Sequence, residues 1–127
     1  MASQLTKVLE SDRKANEKLI PRIESTYKRV LELNPDDYTA NYNLGLHYYN
    51  QAVHIIREME YDLDIVALND IEDKTIGLFK LALPYMEKAY KLLPNRKETL
   101  IGLQGIYFSL NEFDKSNQIK LNEMIFS

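Results

Sequence analysis

The sequence contains no cysteine, which removes disulfides, thiolate nucleophiles and cysteine-based zinc sites together and leaves the compartment undecided. Glycine and proline number only four each. A β-sandwich needs turn residues about every 8–12 positions, and there are too few here to supply them. No apolar run approaches the roughly 18 residues that a membrane span requires. Residues 1–20 are polar and charged and hold no signal-peptide core. The net charge of −3 is mildly acidic, whereas a nucleic-acid footprint wants a basic face. No glycine-rich loop cradles a phosphate, and no serine or histidine has the surroundings of a nucleophile. The expectation is therefore no catalytic residue, no cofactor, no metal, no nucleic acid and no membrane span.

What is present is a chain with 45% hydrophobic and 28% charged residues, the balance of a folded domain rather than a disordered one. Its 127 residues suit one domain with one continuous core. Leu5, Val8, Leu9, Ala15, Leu19, Ile23, Tyr27, Val30 and Leu31 recur at gaps of mostly three and four, which is helical spacing. Pro21 lies inside that stripe and is expected to start a new helix or kink a long one. Asn34-Pro35-Asp36-Asp37 reads as a break followed by a cap. A second helix is expected from Tyr38 to about Met59, then a weak break over Tyr61–Asn69. Asp70 is read as the cap of a third helix that runs to Leu93 with Pro84 inside it. Beyond Pro94-Asn95-Arg96 a fourth helix covers about Lys97–Leu110, and Asp114 is read as capping a fifth, to about Ile125. The fold class is all-α, with about five helices.

The breaks align into an internal repeat. Leu-Glu-Leu-Asn-Pro at 31–35 recurs as Lys-Leu-Leu-Pro-Asn at 91–95. Ala-Asn-Tyr-Asn-Leu-Gly-Leu-His-Tyr-Tyr at 40–49 places Leu44, Gly45 and Tyr48 at the spacing of a helical-repeat signature, and Ala82, Ala89 and Pro94 follow in the segment 82–94. Ile23–Pro35 and the run Leu103–Ser116, with Phe113 at a turn, supply two further fragments in order. These four fragments resemble the tetratricopeptide repeat (TPR) family, a roughly 34-residue helix–turn–helix unit. The resemblance spans about Ile23–Ile119 and implies a stack of helix pairs that share a core. The departures are specific. Pro35 and Pro94 are about 59 positions apart, about 25 more than one unit allows. Because helical spacing continues on both sides, the excess is read as an elongated helical hairpin over 50–78 rather than a loop. Gln104 stands where the family prefers a small residue, with Gly105 beside it. Residues 2–20 carry no signature of a first helix, which fits a piece of a longer protein. A long middle repeat and an Ala-Leu-Pro-Tyr helix look like bacterial TPR proteins common in Bacteroidetes, often envelope-associated. The chain as it stands is expected in the cytoplasm, and in the periplasm or envelope if it is such a piece. The expected layout is one domain over 1–127, with N-terminal helices at 1–37, an elongated repeat at 38–96 and a C-terminal repeat at 97–127.

The resemblance implies that the first helix of each repeat lines a concave, partner-binding face. That face would carry Tyr42, Asn43, Leu46 and Tyr49 from one helix and Ile101, Gly102, Gly105 and Phe108 from the next. Aromatic anchors in a groove are where binding energy concentrates. Each helical glycine costs about 1 kcal/mol relative to alanine, and close approach by a partner or by a neighbouring helix would repay it. The expected function is binding an apolar peptide or helical segment of a partner protein; the alternative is a self-associating structural domain joined through the 50–78 hairpin. Binding of a C-terminal carboxylate is not expected. Asn43 matches the clamp residue used for it by some relatives, but Glu98 and Gly102 stand where Lys and Arg would be needed. His47, His54 and Glu58 share helical spacing, yet two histidines are not a metal site and surface placement is the expectation. The acidic run Glu58, Glu60, Asp62, Asp64, Asp70, Glu72 and Asp73 lacks the alternation of a calcium loop and reads as a solvated helix turn.

Overall fold

The computed structural model describes residues 13–60 and 62–126. The expected apolar positions Leu5, Val8 and Leu9 lie outside the described residues. Among the described residues five helices follow one another: α1 (Arg13–Leu33), α2 (Tyr38–Arg57), α3 (Ile65–Leu92), α4 (Lys97–Ser109) and α5 (Phe113–Phe126). Among the described residues there is no strand. None of these helices is long and apolar enough to cross a membrane.

The local chemistry explains most of the boundaries. The Asp37 carboxylate accepts from the Ala40 N–H at 2.8 Å and opens α2. Buried Asn41 donates to the carbonyls of Pro35 and Asp37 at 3.0 and 2.9 Å, tying the α1–α2 corner to the helix that leaves it. The third helix starts earlier than its sequence suggested. Asp64, not Asp70, is its cap, accepting from the Ala67 N–H at 2.8 Å, so the helix opens at Ile65. The expected hairpin is present: α2 has 20 residues and α3 has 28, about 30 and 42 Å at 1.5 Å per residue. Pro21 does not start a new helix, because α1 runs through it; it is exposed and removes only one backbone donor. Asp114 lies in the first turn of α5 rather than capping it. The α4–α5 turn is set instead by Asn111, whose φ of 62° is the left-handed conformation that asparagine tolerates. Asn111 N–H donates to the Phe108 carbonyl at 3.0 Å and Glu112 N–H to that of Tyr107 at 2.8 Å, the Schellman pair.

Consecutive helices pack on one another, with α2 against α3 the largest interface and α4 against α5 the next. The core runs through Leu44, Tyr48 and Ala52 of α2, Phe79, Ala82 and Met86 of α3, Leu100, Leu103 and Ile106 of α4, and Ile119 of α5. Short connections make neighbours antiparallel, so α2 and α4, both packed on α3, run side by side in the same direction. Tyr38 near the start of α2 hydrogen-bonds Thr99 near the start of α4. Farther along, Tyr49 lies against Gly105. The α2–α4 pair forms one face of the molecule.

Candidate partner-binding face

The face is built on two parallel rows. Along α2, Tyr38 and Tyr42 are one helical turn apart and stack with ring centroids 5.9 Å apart. Leu46 and Tyr49 continue the row, each half-buried against the core. Along α4, Glu98, Ile101, Gly105 and Phe108 fall three and four residues apart and so share a side. Ile101 is 50% and Phe108 63% exposed. Phe108 meets Phe113 of α5 edge-on at 5.3 Å. The Arg96 guanidinium lies 5.8 Å from the Tyr38 ring centroid and closes the N-terminal end of the face.

The structure thus brings together Tyr42, Leu46, Tyr49, Ile101, Gly105 and Phe108. Two expected members stand apart. Gly102 is buried, because a Cβ there would lie 3.0 Å from the Met86 methyl; the side chain of α3, not a partner, occupies that approach. Asn43 is half-buried, and its amide makes no hydrogen bond among the described residues. Gly105 is explained in the same terms as Gly102. A Cβ built on it would stand 2.9 Å from the Tyr49 hydroxyl oxygen, so the ring lies across the helix where a side chain would otherwise project. Tyr38, Arg96 and Phe113 also belong to the face. The four-residue step from Tyr38 to Tyr42 was the sequence signal for the first of them. The other two depend on the helix docking, which no local spacing encodes.

Burial, then Tyr38 and the Glu98 carboxylate, raise the Tyr42 pKa above its ordinary value of 10.0. Burial first raises that of Tyr38 as well. Both phenols are therefore neutral hydrogen-bonding groups at physiological pH. The face offers apolar area, aromatic edges, hydroxyls and one half-buried amide, which is the chemistry of contact. No family model matches the chain, and no curated protein is similar enough to match it.

The histidines divide. His54 is exposed as expected, but His47 is buried, at 8% exposure, because α1 covers it. Among the described residues no three potential metal ligands converge. The Gln51 amide nitrogen lies 3.0 Å from His47 Nε2; an amide N–H can only donate, which leaves the neutral ring's proton on Nδ1. A second proton on Nε2 would face the amide donor. Burial pushes the His47 pKa below 6.5, outweighing the opposing pull of the Glu24 carboxylate. Glu24 accepts from Tyr48 at 2.7 Å and Lys28 at 2.8 Å. These bonds, Lys28 first, hold its pKa below 4.5, while burial first pushes Tyr48 up to about 12. A histidine with a depressed folded pKa binds its proton more readily in the unfolded chain. Its stabilising effect is complete above pH 6.5 and is lost as pH falls below that value. Glu24 adds a further loss below pH 4.5. Thermal unfolding followed between pH 7.5 and 5.0 is expected to show a falling midpoint that His47→Gln flattens; parallel curves for the two proteins would contradict it.

Proposed function

We propose that this chain is a TPR-like module that binds an apolar, extended or helical segment of another protein on the α2–α4 face. The observation that carries the reading is the exposure of Phe108 and Ile101 at 63% and 50% beside the half-buried tyrosines of α2. An isolated exposed side chain needs no explanation, but a row of apolar groups across two adjacent helices is the form of a groove for a peptide. The sequence fragments of the repeat, in order and at the expected helix boundaries, support the TPR-like assignment. Exposed Glu98 at the N-terminal end of the face would repel a terminal carboxylate, which favours an internal segment as ligand.

The test uses residues that the fold does not need. Because Ile101 and Phe108 are largely exposed, the pair Ile101→Ser and Phe108→Ser is expected to cost about 1 kcal/mol or less and to leave helicity intact. A display library of random peptides selected on the wild-type chain should yield binders with two or more large apolar residues. Binding of these to the double variant should weaken about 30-fold or more, the effect of losing about 2 kcal/mol from anchor contacts. Failure to select any peptide, or equal binding by the variant, would count against the proposal.

A further inference from the structure

The far end of the α2–α3 hairpin, remote from the tyrosine row, presents a second surface. An open cleft of about 480 Å³ is lined by the apolar side chains of Ile55, Met59, Leu63 and Ile71 together with His54, Glu58 and Glu60. Beside it, Ile65 and Val66 in the first turn of α3 are 74% and 67% exposed. Apolar groups thus come from both helices and from the turn between them. The charge around them is strongly one-sided. Residues 54–74 carry seven carboxylates against Arg57 and Lys74, about −5 on a chain whose total is −3, and all seven are exposed. The rest of the chain is therefore slightly positive.

We infer that the hairpin tip is a docking site for a basic amphipathic helix of a partner protein, whose apolar stripe enters the cleft while its lysines or arginines meet the acidic rim. Charge decides among the occupants of an exposed apolar surface. A second copy joined tip to tip would set about −5 against −5, and like charges facing across an interface oppose association. An anionic lipid surface is repelled for the same reason. A cationic helix satisfies both halves of the surface, its stripe supplying apolar contact and its charges steering the approach. This site is separate from the α2–α4 face and stands or falls independently of it.

The probe is a synthetic peptide of about 14 residues with leucine at heptad a and d positions and lysine elsewhere, labelled for fluorescence anisotropy. Binding to the intact chain is expected, weakening at least about fivefold between about 50 and about 500 mM salt. A lysine/serine peptide of equal charge and a leucine/glutamate peptide of equal apolarity should each bind at least about tenfold more weakly, because each lacks one of the two complementary components. The variant Ile65→Ser with Val66→Ser, on exposed positions and checked for wild-type helicity, should lose about tenfold. Any loss shown by the Ile101→Ser and Phe108→Ser variant reports peptide held on the α2–α4 face, and a loss as large as that of the tip variant would place the peptide there and overturn the inference. Equal affinity for the lysine/serine peptide would reduce the effect to bulk charge and overturn the inference, as would unchanged binding by the tip variant. Sedimentation showing a micromolar dimer that the tip variant converts to monomer would also overturn it, in favour of a second copy at the tip.

Discussion

Replacing Met86 with alanine is expected to cost about 2–5 kcal/mol of stability, a large share of the roughly 5–15 kcal/mol available to a domain of this kind. Met86 is fully buried at the junction of three helices. Its methyl lies 3.3 Å from the Cβ position of Gly45 on α2 and 3.0 Å from that of Gly102 on α4. A flexible thioether fills an irregular gap of this sort better than a branched chain does, and both glycines leave space for it. The two sites should therefore be coupled. Gly102→Ala alone sets a helix-propensity gain of about 1 kcal/mol against displacement of the Met86 methyl, and the result is expected to lie near zero. In the Met86→Ala background nothing opposes the added methyl, which gains the propensity and refills part of the cavity. Urea unfolding of the four proteins should give a coupling of about 1–2 kcal/mol in favour of the double variant. Strict additivity would mean that the Met86 side chain does not occupy the space above Gly102.

The helices were legible where local chemistry is decisive. Asn34-Pro35 and Pro94-Asn95 stop helices, and Asp37, directly before α2, caps it by accepting from the N–H three residues on. The start of α3 was misplaced because the stretch from Asp62 to Asp73 offers several carboxylates of the same capping type. The choice of Asp64 brings Ile65, Val66 and Leu68 into the helix although these side chains are exposed. A search for a buried apolar stripe passes over such residues. Pro21 left two outcomes open, a new helix or a long one carried through it, and the helix runs through: on an exposed face, one missing donor is cheaper than ending a helix that still has Ile23, Tyr27 and Leu31 to pack.

The candidate face was half legible. A helix spacing identifies which side chains share a side, which is why Tyr42, Leu46 and Tyr49 and, separately, Ile101, Gly105 and Phe108 group together in the sequence. How deep each lies depends on what the neighbouring helix places above it, and that is a matter of register between segments far apart in the chain. Tyr48 reaches Glu24 across a separation of 24 residues, Tyr107 reaches Glu87 across 20, and His47 is covered by α1. The glycines show the same limit: their helical positions were evident, but the side chains of Tyr49 and Met86 that occupy their approaches were not.

Gly45 is the position where substitution should do the most harm per atom added. A Cβ there would lie 3.2 Å from the Met86 backbone nitrogen and 3.3 Å from the Ala82 carbonyl oxygen. Unlike the Tyr49 hydroxyl above Gly105, these atoms belong to the α3 backbone and cannot swing aside. Relief requires α3 to move away from α2 along the largest interface in the molecule, loosening the contacts of Leu44, Ala82 and Met86 together. Gly45→Ala should lose about 1 kcal/mol net, since crowding exceeds the propensity gain of about 1 kcal/mol. Gly45→Val adds two methyl groups on a stiff branch and should cost about 3 kcal/mol or more, the upper part of the range for overpacked cores. Gly77, also inside a helix, is the internal control: nothing lies within 4 Å of its Cβ position, so Gly77→Ala should stabilise by about 0.5–1 kcal/mol. Denaturant midpoints for the three variants are therefore expected in the order Gly77→Ala above wild type, Gly45→Ala below it, and Gly45→Val lowest or unfolded. A Gly45→Val protein as stable as the wild type would show that α2 and α3 do not approach at this point.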